Sequence, residues 1–103
     1  MFGQKNNLPA AYRGAFRELG TLIPAVQKVH GSAHPELQEV GQLYAALKEK
    51  MEAGASAAET TPLVERLRTL TNQYTVPSDA CLAFRKTYAA LSKIDETLMG
   101  AKV

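Results

Sequence analysis

The chain has 103 residues, of which 46% are hydrophobic and 21% charged, with 7 Gly and 5 Pro. A chain of this size builds one domain around one core, and its balance of apolar and charged residues excludes disordered and collagen-like classes. The formal net charge is only +2, and the densest basic spot is the short "VERLRTL", so nucleic acid is not an expected partner.

The first helical pattern covers about 8–30. Asn7 can cap it and Pro9 suits its first turn, after which Tyr12, Phe16, Leu19, Ile23, Val26 and His30 recur at spacings of four and three until Gly31. Pro24 lies inside this pattern, where it lacks an N–H and crowds the carbonyl of Gly20. A bend or break is therefore predicted near the Gly20/Pro24 pair. The second pattern, about 35–53, opens at Pro35 with His34 or Ser32 as cap, runs through Leu37, Val40, Tyr44, Leu47 and Met51, and ends at Gly54.

Two starts are open for the third helix. Ser56 and Glu59 form a capping box, whereas Thr61 with Pro62 behind it keeps the Pro in a first turn. The second choice avoids an internal Pro and predicts a helix over about 61–75, with Leu63, Leu67, Leu70 and Tyr74 on its apolar face. The polar turn "NQYTVP" follows, and Ser78 is the expected cap of a fourth helix over about 78–99, striped by Cys81, Phe84, Tyr88, Leu91, Ile94 and Leu98 and stopped by Gly100. No strand-like alternation competes. Four helices with short connections predict an all-α, up-down-up-down antiparallel four-helix bundle, a single domain over 1–103.

Cys81 is the single cysteine, so no intramolecular disulfide can form, and no apolar run approaches the ~20 residues of a membrane span. With no signal-like pattern in "MFGQKNNLP", a cytoplasmic protein without membrane association is expected. Cys81 falls on the stripe of the fourth helix and reads as a small buried hydrophobe with no sequence-near His. His30 and His34 are four apart, but Gly31 and Pro35 interrupt a shared helix, so they read as a half-buried junction residue and a cap. Glu49, Glu52, Glu59, Asp95 and Glu96 lie in mixed-charge patterns and read as solvated. Tyr12, Phe16, Tyr44, Tyr74, Phe84 and Tyr88 have helical spacing and read as core.

The stretch "LTNQYTVPSDACLAFRKTYAALSKIDETLM" carries Thr71, Asn72, Thr75, Pro77, Ala80, Cys81, Phe84, Arg85 and Tyr88 in a register that resembles the last helix and preceding turn of the iron-sulfur cluster repair (RIC) branch of the hemerythrin-like (HHE) domains. "VQKVHGSAHPELQEVGQLYAALKEKME" is similar to that family's helix junction and second helix, so the resemblance covers roughly Tyr12 to Ala101. It implies a bundle whose inward His and Glu residues hold two irons. The positions that would carry those ligands fall here on Tyr12, Gly54, Ala57, Ala58 and Ala101, and the chain ends at Val103 before the last expected Glu. In an antiparallel bundle these positions share one end. The expectation is the family's fold without its metal-bearing end, with no metal, no cofactor and no catalytic residue.

The sequence therefore points to a non-catalytic interaction or regulatory module, a degenerate relative of the di-iron repair proteins, and away from an enzyme. A homodimer is expected, its interface formed by Tyr12, Phe16, Met51, Leu63 and Leu98, together with a protein partner the sequence does not name. The alternatives are an iron-binding redox or nitrosative-stress protein with rearranged or intersubunit ligands, and a small-molecule sensor with a bundle cavity.

Overall fold

A computed structural model describes residues 8–100 and contains four helices: α1 (Ala10–His30), α2 (Glu36–Glu52), α3 (Ala57–Leu70) and α4 (Leu82–Met99). The proposed cap Asn7 lies outside the described residues. α1 packs against α2 and α4, and α3 closes the ring between α2 and α4, with no close approach across either diagonal. That neighbour pattern is the four-helix bundle expected from short connections. The described residues contain no strand, and no helix among them is long and apolar enough to cross a membrane.

The core is the meeting of the four stripes. Phe16, Leu19, Ile23 and Val26 of α1 face Leu37, Val40, Leu47 and Met51 of α2, Val64 and Leu67 of α3, and Phe84, Tyr88, Leu91 and Ile94 of α4. Leu8, ahead of α1, is also buried, and its carbonyl accepts a 2.9 Å hydrogen bond from Arg13 Nε.

α1 is one continuous helix through Pro24, so of the predicted bend or break the break does not occur. Gly20 also has a use in packing. The Tyr44 hydroxyl of α2 donates a 2.8 Å hydrogen bond to the Phe16 carbonyl, and a Cβ on Gly20 would lie 3.2 Å from that hydroxyl. The same device operates in reverse at Gly41. There Gln27 Nε2 of α1 donates to the Leu37 carbonyl at 3.0 Å, and a Cβ on Gly41 would stand 2.4 Å from that nitrogen. In each case a Gly four residues after the carbonyl bares it to a side chain of the neighbouring helix.

The third helix starts a turn earlier than expected, at Ala57 behind an extended Ser56, and carries Pro62 as its sixth residue. The predicted start at Thr61 underestimated the buried face: Thr60 is buried in line with Val64, Leu67 and Thr71, so the stripe begins a turn earlier. Burial there offsets the backbone bond that Pro62 cannot make to Ala58. The helix also ends early, at Leu70 rather than near residue 75. Asn72, Gln73 and Tyr74 all have left-handed backbone, at φ 53°, 60° and 60°. The Thr71 hydroxyl braces this turn, donating to the Leu67 carbonyl at 2.7 Å and accepting from Tyr74 N at 2.9 Å. The fourth helix begins at Leu82 with Cys81 as its extended N-cap, not at Ser78, because residues 77–80 form a separate turn closed by Ala80 N on the Pro77 carbonyl.

Asp95, expected to be solvated, is only 5% exposed. Arg68 of α3 donates to its two oxygens from Nε at 2.7 Å and Nη2 at 2.6 Å, and the Tyr74 hydroxyl donates to it at 2.7 Å. Arg66 is likewise engaged in a fork with Glu39, so the one basic spot of the sequence is spent on ion pairs within the bundle. Removal of the buried carboxylate strands the guanidinium and the phenol. Asp95→Ala is expected to destabilise the fold by about 3 kcal/mol, the low end for a broken buried pair because the Arg68 head is partly solvated. Urea unfolding followed by circular dichroism measures it, and a loss below ~1 kcal/mol would show that the pair contributes little.

Candidate functional site

The two ends of the bundle carry different chemistry. At one end the start of α1, the end of α2, the start of α3 and the end of α4 surround a cleft of about 290 Å³. Tyr12, Met51, Leu98 and Pro9 form its apolar wall, the small residues Gly54, Ala55 and Ala57 also line it, and Thr60 and Thr61 supply hydroxyls. Gly54 fits because it closes α2 in left-handed backbone, at φ 76°. Burial raises the Tyr12 phenol above its ordinary range, and the Tyr12 ring stands edge-on to Phe16 with centroids 6.5 Å apart.

Three of the five expected interface residues, Tyr12, Met51 and Leu98, meet in this cleft. Phe16 does not reach the surface: at 1% exposure it lies in the core beneath Tyr12 and Tyr44. Leu63 is half-buried on the flank of α3 and does not line the cleft. Of the positions that the resemblance marks as metal ligands, Tyr12, Gly54 and Ala57 line the same cleft, Ala58 is exposed beside it, and Ala101 lies outside the described residues. No lining side chain is a carboxylate, imidazole or thiol. Among the described residues, no three His, Cys, Asp or Glu side chains stand together so as to hold a metal ion.

The opposite end gathers titratable groups that are far apart in sequence. His34 Nε2 lies 3.0 Å from both Asp79 carboxylate oxygens, and its Nδ1 lies 3.1 Å from Glu36 Oε2. Its side chain thus cross-links the α1–α2 turn to the α3–α4 loop and caps no helix; Pro35 stands at the N-cap of α2. Cys81 is exposed, contrary to its place on the fourth stripe, because α4 starts one residue after it. Its Sγ lies 3.3 Å from His30 Nε2, across 51 residues of sequence. Both imidazoles pack edge-on against the buried Phe84 ring, with centroids 5.2 Å away for His30 and 5.3 Å for His34. Sequence spacing held no signal for these pairs: His30 was legible as a junction residue, but its partner was not.

No protein-family model matches the chain, and no solved structure matches it.

The Asp79 hydrogen bond, followed by that to Glu36, raises the His34 pKa above its ordinary 6.5, against partial desolvation. The His34 bond in turn lowers Asp79 below its ordinary 3.8. A raised imidazole contributes stability that is complete below 6.5 and lost as pH climbs through its folded value, while the lowered carboxyl contributes stability lost only as pH falls through its own. The stability gap between wild type and His34→Gln is therefore expected to be widest between pH 3.8 and 6.5 and to narrow above it. Thermal melts at a series of pH values test this, and a gap that widens toward alkaline pH would contradict the assignment.

Proposed function

We propose that the protein is a non-catalytic helical-bundle module, related to the di-iron iron-sulfur cluster repair proteins but without their metal ligands, that works by association through the cleft end of the bundle. The observation that supports this reading is the convergence of Tyr12, Gly54 and Ala57 on one cleft with an apolar wall. These are the positions at which the resemblance expects iron ligands. Tyr12 supplies a phenol, and the other two supply no donor side chain, whereas a di-iron centre takes several carboxylates and imidazoles.

A second copy is the partner the cleft favours. Tyr12 is half-exposed in the cleft with its ring edge-on to the buried Phe16, which suits an aromatic interface anchor. A two-fold axis would bring two such clefts face to face and bury both. Met51 and Leu98 would share the contact, and Phe16 would support it from below.

The size of the cleft supports a second reading, a sensor for a small apolar molecule. Its volume of about 290 Å³ is close to the lower bound of small-molecule pockets. Methyl-detected NMR with an apolar fragment set distinguishes the two: shifts at Met51 and Leu98 in a monomeric protein would replace the first reading with this one.

Two measurements test the first reading. Anaerobic reconstitution with ferrous iron followed by metal analysis is expected to leave the purified chain without stoichiometric iron. About two irons per chain would overturn the claim of a lost metal site. Sedimentation equilibrium on the intact chain is expected to show a dimer, and Tyr12→Glu is expected to shift it to monomer by placing a charge against apolar surface. A wild-type chain that stays monomeric at high micromolar concentration would refute the association, and a dimer indifferent to Tyr12→Glu would remove the cleft from it.

A further inference from the structure

We propose that Cys81 and His30 form a thiol–disulfide exchange site at the opposite end of the bundle, where the imidazole takes the thiol proton and the sulfur attacks a disulfide. The proposal is independent of the association reading. It rests on the geometry of the pair. His30 Nε2 lies 3.3 Å from Cys81 Sγ, within reach for an S–H donor and a ring-nitrogen acceptor. The ring packs against two others. It stands edge-on to the fully buried Phe84 and tilted against His34 with centroids 6.4 Å apart, while the His30 backbone ends α1 with its carbonyl accepting from the backbone nitrogens of Ala33 and His34.

The sulfur is accessible. Cys81 is exposed, and the apolar residues next to it and to His30 in sequence, Leu82 and Val29, are themselves 68% and 70% exposed. Cys81 is also the N-cap of α4, and its sulfur makes no hydrogen bond to the first turn of that helix. Asp79, two residues before Cys81, has its carboxylate engaged by His34, which offsets its charge when the imidazole is protonated. A thiol kept only for packing needs neither the exposure nor the imidazole.

The step balances without a further oxidant. The Cys81 proton passes to His30 Nε2, the sulfur's electron pair forms a bond to one sulfur of the incoming disulfide, and the disulfide's own S–S bond breaks. The departing thiolate takes the proton back, so one thiol and one disulfide enter and one thiol and one mixed disulfide leave. Because the chain has one Cys, no second thiol within it can release the adduct. The modification therefore persists until an external thiol arrives, either a small molecule or Cys81 of a second copy.

Oxidised glutathione is the probe, with intact-mass spectrometry of the full chain as the readout. The native protein is expected to form the mixed disulfide at Cys81 about tenfold faster than the same chain unfolded in urea, and His30→Gln is expected to remove most of that advantage. A mass gain of one glutathione assigns the exchange to a small thiol, and a disulfide-linked dimer assigns it to a second copy; either supports the site. A native rate no greater than that of the unfolded chain would overturn the proposal, as would a folded His30→Gln variant that reacts at the wild-type rate. Circular dichroism of the variant establishes that it is folded, and the comparison with the unfolded chain requires no variant.

Discussion

The buried carboxylate of Asp95 joins the two neighbouring helices with the thinnest packing between them. α3 and α4 approach each other less than any other adjacent pair, and Asp95 lies on the seam with Arg68 and Tyr74 aimed at it. Moving a carboxylate out of water costs several kcal/mol unless it is paired and hydrogen-bonded. Here a bidentate guanidinium and a phenol supply the offset, and the same environment raises the Tyr74 phenol above its ordinary range, by burial first and then by the carboxylate. To deliver that phenol the chain must turn back immediately after α3. Three consecutive non-Gly residues in left-handed backbone each cost roughly 1–2 kcal/mol, which the hydrogen bonds of Thr71 and Asp95 at its two ends and the backbone bonds within the turn, such as Gln73 N to the Arg68 carbonyl, offset. The path of the following loop, which brings Asp79 to His34 and Cys81 to His30, starts from that turn.

The polarity of the molecule follows from antiparallel packing. Helix starts and ends alternate between the two ends of the bundle, so residues far apart in sequence collect into two small surfaces. One surface is walled by Tyr12, Met51 and Leu98 and carries hydroxyls but no strong acid or base. The other carries two imidazoles, a thiol and two carboxylates arranged around Phe84. The core between them is apolar apart from the buried Thr60, Thr71, Thr87 and Asp95. The proposed association at the first surface and the proposed thiol chemistry at the second therefore fall on separate parts of the bundle.

Much of this architecture is legible in the residues alone. The stripes of α1 and α2, the stop at Gly54 and the number of helices follow from period and punctuation, because those signals depend on neighbours within a turn or two. The errors share a physical cause. Pro62 inside α3 and the early start of that helix depend on how deeply Thr60 is buried, which is set by other helices. Asp95 reads as a surface acid because Arg68, which pairs with it, is 27 residues away, and Tyr74 packs against the core as expected but from the left-handed turn instead of from α3. Cys81 reads as buried because its spacing extends the α4 stripe by one turn, yet the helix begins after it. That Tyr12, Gly54 and Ala57 share one end was legible once alternation was applied to the positions the resemblance marks, whereas the His30–Cys81 pair spans 51 residues and no local pattern marks it.

The reciprocal bonds beside Gly20 and Gly41 fix more than the contact between α1 and α2. Apolar ridges can slide by one turn, about 5.4 Å, and find a similar groove, so greasy stripes alone specify axial position weakly. A side chain on a bared carbonyl cannot slide in this way. Tyr44 reaches the Phe16 carbonyl only where Gly20 leaves room, and Gln27 reaches the Leu37 carbonyl only where Gly41 does. Two such latches, one from each helix and separated along the axis, act as a vernier that admits a single setting. The depth of the cleft at one end and the level of His30 at the other are thereby set by the same gauge.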